Sequence, residues 1–134
     1  PAGNRLMNVV IDASALLAWL HGEAGAESVD AALAEAAISS VNWAEVVQKA
    51  LGRGVDVAGM REDLAALGLN VVPFDAEDAE RAGRLWSLTQ PYGLSLGDRA
   101  CLALGLRLAT PVLTADRAWA PLETTLGISI RGVR

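Results

Sequence analysis

Short apolar runs alternate with helix-length segments along this chain, and that alternation limits the fold more than any other feature. Met7–Ile11 (MNVVI) is apolar up to Asp12 and reads as a buried strand. Ala13–Leu20 then reads as a helix, stopped at His21-Gly22. Helical spacing returns over Glu23–Ala36, and Ala37–Ser39 suits a short strand. In Val41–Arg53, the residues Trp43, Val46, Val47, Ala50 and Leu51 recur at the spacing of one helix face. Val57–Leu67 is a further helix, and Asn70–Phe74 (NVVPF) a strand. Asp75 then caps a helix running to Thr89. After a loop at Pro91-Tyr92-Gly93 come a helix over Leu96–Ala109 and a strand over Pro111–Thr114. A helical turn from Asp116 to Leu122 and a strand over Ile128–Ile130 complete the order. Strands separated by helices require crossover connections. The expected fold is therefore a single α/β domain with a mainly parallel central sheet flanked by helices.

The length of 134 residues suits one domain with its own core. We read residues 1–6 as a remnant of expression cloning and Met7 as the natural start, so the domain spans 7–134. No apolar run reaches the 18 residues of a membrane span, and no secretory signal is evident. A soluble, cytoplasmic protein without a membrane partner is the expectation. A single cysteine, Cys101, excludes an internal disulfide framework and a multi-cysteine zinc site. A single histidine, His21, excludes paired-histidine zinc motifs.

Chemistry then falls to the acids. Asp12 and Asp116 follow strands, where ligands bind in open α/β sheets, although each also suits a helix cap. Asp98 lies in a nearly all-apolar helix, where an unpaired carboxylate is costly. Ser95 three residues earlier offers a capping box as the simpler explanation, and the two roles are compatible. Glu45 sits opposite the apolar stripe of its helix, and the plain reading is a solvated pair with Lys49. Three or four carboxylates from separate segments, without His or Cys, suit a hard divalent cation such as Mg2+ or Mn2+. A pair of such ions serves phosphodiester cleavage.

The stretches VIDASALLAWL, NWAEVVQKAL, LSLGDRACLALG and LTADRAW, in this order, resemble a PIN-domain protein, specifically a VapC-type ribonuclease toxin. The resemblance covers essentially Met7 to the C-terminus. It implies that Asp12, Glu45, Asp98 and Asp116 are the acidic catalytic and metal-binding positions, with Asp116 the least direct. It also implies supporting roles for the hydroxyls of Ser14 and Thr114. The implied activity is Mg2+- or Mn2+-dependent endonucleolytic cleavage of a transfer or ribosomal RNA, which halts translation. A VapB-type antitoxin neutralises such toxins. The implied assemblies are a homodimer and a toxin–antitoxin hetero-oligomer. Lys49, Arg53, Arg99 and Arg117 are candidate RNA phosphate contacts, and each is equally a candidate surface ion pair. The apolar segments Ala13–Leu20 and Val57–Leu67 are candidate interface surfaces.

Two other classes compete. A haloacid-dehalogenase-type phosphatase or phosphotransferase also starts on a strand ending in aspartate, but needs a second acid where Ser14 stands. A non-catalytic module such as a receiver domain needs a late lysine, and the only lysine is Lys49. The formal charge of −5 argues against holding RNA by bulk positive charge. Discounting Arg5 gives −6, and setting the four site acids aside leaves −2. Much of the acidity is then a local cation site.

Overall fold

The computed structural model describes residues 7–134, so the leading segment 1–6, with its expected remnant, lies outside the described residues. Five short strands form one all-parallel sheet. They are β1 (Val9–Ile11), β2 (Ala36–Ser39), β3 (Asn70–Val72), β4 (Val112–Thr114) and β5 (Ile130–Gly132), in the spatial order β3-β2-β1-β4-β5. Eight helices connect them: α1 (Ala13–Leu20), α2 (Ala26–Ala32), α3 (Ser40–Gly52), α4 (Met60–Ala66), α5 (Ala76–Arg84), α6 (Trp86–Thr89), α7 (Leu96–Leu108) and α8 (Leu122–Leu126). The expected α/β class with a parallel sheet is the one observed.

The inner strands are apolar on both faces because both faces are covered. Val9, Ile11, Ala36, Ile38 and Leu113 join α1–α4 in one buried cluster. Val10, Ala37 and Val112 point the other way, into a cluster with α5, α7, α8 and the fully buried Trp119. A buried Asp78 on α5 ties that layer together. Arg107 of α7 donates to both its oxygens at 2.8 and 3.0 Å, and Arg81 adds a third contact at 3.2 Å.

Several boundaries differ from the sequence expectation. The last strand is Ile130–Gly132 rather than Ile128–Ile130, because Gly127 turns the chain in a left-handed conformation (φ +66°) and Ile128 plugs the core before pairing begins. The second helix starts at Ala26 instead of Glu23, after Gly25 (φ +96°). A Cβ at Gly25 would overlap the Val133 carbonyl. The helix expected through Thr89 breaks at Leu85, and the loop at 91–93 is a 3-10 turn over Gln90–Tyr92. The expected apolar stripe of α3 is also amended. Val46 and Ala50 are buried as expected, but Leu51 is 56% exposed and Asn42 is buried in its stead. Helix α1 is corrected as a candidate interface. Its Ala13, Ala15, Leu16, Leu17 and Ala18 are consumed by the chain's own core. Among the described residues, the exposed large apolar side chains are Leu51, Val55 and Leu67, and Trp86, Leu88, Tyr92 and Leu96 on α6, the turn after it and the start of α7. Among the described residues, no helix is long and apolar enough to cross a membrane.

Candidate metal and phosphodiester site

In this strand order, β1 is followed in sequence by β2 on one side and neighboured by β4 on the other. The crevice between the carboxyl ends of β1 and β4 is therefore the switch point where open α/β sheets bind ligands. Register places Ile11 beside Leu113, so the next residues, Asp12 and Thr114, face each other across that crevice.

Asp12 is buried (3% exposed) and caps α1 by accepting from the Ala15 N–H at 2.8 Å. Two hydroxyls hold it from the other sides. Thr114 donates to Oδ2 at 2.6 Å, and Ser14 lies 2.8 and 2.9 Å from the two carboxylate oxygens. The direction of both protons follows from the backbone. The Asp116 N–H donates to Thr114 Oγ1 at 3.0 Å, and the Ala115 N–H donates to Ser14 Oγ at 3.0 Å. Each hydroxyl thus accepts from the end of β4 and gives its proton to Asp12. Ser14 and Thr114, the two hydroxyls singled out in the sequence, thus both contact the Asp12 carboxylate.

Burial pushes the Asp12 carboxyl up from 3.8 to about 6, against the lowering effect of its hydrogen bonds from Thr114, Ala15 and Ser14; the charge of Asp98 raises it further. Asp98 is also held above its ordinary value. Partial burial is the largest cause, its bonds with Ser95 oppose it, and the charges of Asp116 and Glu45 add to it. Asp98 thus feels the charges of Glu45 and Asp116, and Asp12 feels that of Asp98. Cys101 registers these acids from beneath: burial first, then the charges of Asp12 and Asp98, push its thiol well above its usual range. The cysteine is fully buried, as expected of a packing residue.

The plainer roles weighed for these acids are present too. Ser95 and Asp98 form a complete capping box at the start of α7. Asp116 is exposed and accepts from the Ala118 N–H at 2.9 Å. Glu45 and Lys49 form the expected pair along α3, 2.9 Å apart. Asp12 and Asp98 stand at the N-terminal ends of α1 and α7, where unpaired backbone N–H groups favour negative charge.

The donor set is all oxygen, which fits Mg2+ or Mn2+ and not a soft metal. Among the described residues, no three acidic, histidine or cysteine side chains yet converge on one point as ligands. Each acid is engaged by its own cap or pair. Asp98 keeps one oxygen outside the capping box, because only Oδ2 accepts from the Ser95 N–H.

The basic residues divide. Arg117 lines a hollow of about 520 Å3 with Ser14, Ala115, Asp116 and Arg134. Lys49 and Arg53 line a neighbouring hollow of about 230 Å3 with Ser14, Leu17, His21, Glu23 and Arg134. Arg53 also lies 4.0 Å from Glu23. Arg99 is corrected as a candidate RNA contact, since its guanidinium donates to the Ala82 carbonyl at 2.9 Å and packs α7 onto α5. Two residues escaped the sequence reading. Arg134 reaches both hollows because β5 pairs with β4 and brings the chain's end to Thr114. Asn42, discussed below, carried no acidic signal at all. Of the tryptophans, Trp119 is buried in the cluster with α5, α7 and α8, Trp19 and Trp43 pack against the opposite cluster with α1–α4, and Trp86 is 54% exposed.

Several solved structures share this fold. A toxin–antitoxin complex from Klebsiella pneumoniae matches with TM-score 0.70 at 22% identity, covering 95% of this chain and 98% of that one. VapBC-5 from Mycobacterium tuberculosis matches with TM-score 0.61 at 22% identity, covering 94% and 98%. A DNA-bound VapBC from Salmonella typhimurium matches with TM-score 0.63 at 17% identity, covering 96% and 100%. No curated protein sequence is significantly similar. Residues 9–123, from the first residue of β1 through the cluster to α8, match the PIN domain, and the chain belongs to the PIN-domain family.

Proposed function

We propose that this chain is a divalent-metal-dependent endoribonuclease, the toxin of a VapBC-type toxin–antitoxin pair. The observation that carries the reading is the acidic cluster of Asp12, Glu45, Asp98 and Asp116 at the sheet's switch point, in a chain that belongs to the PIN-domain family. The fold neighbours from toxin–antitoxin complexes support the biological setting.

Asp12 and Asp98 would hold Mg2+ or Mn2+, with Glu45 completing the set and Asp116 acting at its edge. A divalent cation there supplies positive charge against a phosphodiester's oxygens and lowers the pKa of water. The remaining work belongs to the chain. Ser14 and Thr114 keep Asp12 in one rotamer. The N-terminal ends of α1 and α7 offer partial positive charge to a phosphate. Arg117 and Arg134 on one side of Ser14, and Lys49 and Arg53 on the other, line the two hollows along which an RNA backbone would run. The proposed substrate is a transfer or ribosomal RNA, its cleavage stops translation, and a VapB-type antitoxin blocks the site in a hetero-oligomer that includes a toxin homodimer.

The test is cleavage of labelled cellular RNA by the purified chain with Mg2+ or Mn2+, with EDTA, and with Asp98→Asn. Discrete new 5′ ends that vanish with EDTA, and fall at least about 100-fold in the variant, are expected. Cleavage that survives EDTA or persists in Asp98→Asn overturns the reading.

A further inference from the structure

Asn42 is the one buried carboxamide of α3, and the acidic cluster alone does not account for it. It is 1% exposed. Its Nδ2 donates to the Gly97 carbonyl at 2.9 Å, while its Oδ1 is buried without a hydrogen-bond partner. An unpaired buried acceptor is costly, so an apolar residue of this size would pack there more favourably. What the carboxamide provides is its donor, and the donor goes to the first turn of the helix that carries Asp98.

The neighbouring geometry explains why that bond matters. Gly97 immediately precedes Asp98 in α7, and Glu45 lies three residues after Asn42, on the same side of α3. A Cβ placed on Gly97 would stand 3.3 Å from Glu45 Oε1, 3.7 Å from Ser95 Oγ and 3.8 Å from Asn42 Nδ2. The Glu45 carboxylate and the start of α7 therefore meet across a narrow gap, in which a methyl group at 97 would push the carboxylate back by a few tenths of an ångström. The other Glu45 oxygen, Oε2, lies 2.9 Å from Lys49 Nζ. Glu45 thus has Lys49 beside one oxygen and the start of α7 near the other, and the Asn42–Gly97 bond spans the same two helices.

We propose that Asn42 and Gly97 form a spacer that fixes how closely the Glu45 carboxylate approaches Asp98, and with it how well a divalent cation fits between them. Asn42 is thus a positioning residue acting through Glu45. The inference rests on the metal-dependent reading above and adds the residues that set the geometry of its site.

Mn2+ binding to the full chain, followed by electron paramagnetic resonance of the free ion, tests this without relying on activity. The variants are Asn42→Ala, Gly97→Ala, Glu45→Gln and the double variant Asn42→Ala/Glu45→Gln, each with its metal-free melting temperature. Gly97→Ala leaves the bond from Asn42 intact and puts a better helix former in α7, so it keeps the fold even if Asn42→Ala does not. Both single spacer variants are expected to weaken Mn2+ binding about tenfold. Asn42→Ala is expected to cost nothing further once Glu45 is neutralised. Wild-type affinity in Gly97→Ala, or an equal loss from Asn42→Ala with and without the Glu45 carboxylate, overturns the spacer. A wild-type chain that binds no Mn2+ at millimolar concentration overturns the metal reading itself, and the spacer with it. Strong wild-type binding with unchanged variants overturns the spacer alone.

Discussion

Asp12 is an acid buried where charge is costly. Its carboxyl is raised to about 6, so as pH rises the folded chain keeps this proton longer than the unfolded chain does. The stability tied to Asp12 is fully present below about pH 4 and is lost as pH climbs through about 6. The interval between 3.8 and about 6 corresponds to about 3 kcal/mol at neutral pH. Asp12→Asn is therefore expected to stabilise the metal-free chain at about pH 7.5, by up to about 3 kcal/mol, and the advantage should shrink towards zero near pH 4. Urea unfolding of both proteins across that range measures it. A difference that stays constant with pH would show that the effect is not the carboxylate's charge. A residue that weakens the resting fold yet anchors the proposed chemistry is the usual trade between stability and function.

At the scale of elements, α7 does the most to assemble the site, and its packing depends on a glycine. A Cβ on Gly105 would approach Val112 Cγ2 to 2.5 Å and Ile128 Cδ1 to 2.8 Å, so helix, strand β4 and the loop before β5 are in contact there. Alanine is the better helix former by about 1 kcal/mol. Overpacking at such a contact costs about 1–3 kcal/mol. Gly105→Ala is accordingly expected to lower the melting temperature, and an unchanged or raised one would mean that β4 yields at no cost. The spacing of apolar residues foretold α7 and its caps because helix periodicity and Ser95/Asp98 are local signals. The same reasoning placed Leu51 on the buried face of α3 and left Asn42 out. It could not foresee that α7 would lie against that side of α3 and cover the carboxamide. It also set the last strand two residues early, since pairing with β4, not the apolar pattern of ISI, decides where β5 begins.

For the whole molecule, the net charge of −5 is unevenly distributed. Like charges gather at the carboxyl edge of the sheet, beside two hollows lined with basic side chains. A cation bound there relieves repulsion in the folded chain only, so it must raise the melting temperature. At a hundred times its dissociation constant it adds about 2.7 kcal/mol, or roughly 5–10 °C for a chain this size. Differential scanning fluorimetry with Mg2+ or Mn2+ is expected to show that rise in the wild-type chain and little of it in Asp98→Asn. An equal rise in the variant would place the cation elsewhere.

The sequence by itself determined the α/β class and the parallel sheet, and it singled out four acids as candidates. These rest on local apolar period, on caps, and on motifs in a recognisable order. Tertiary structure decided which side chains share a space. It sent the Ser14 and Thr114 protons to Asp12, turned Arg99 away onto α5, brought Arg134 to the site, and placed Asn42 across from Gly97. Those outcomes depend on contacts between residues up to about a hundred positions apart. Strand order and helix packing fix such contacts, and no local pattern encodes them.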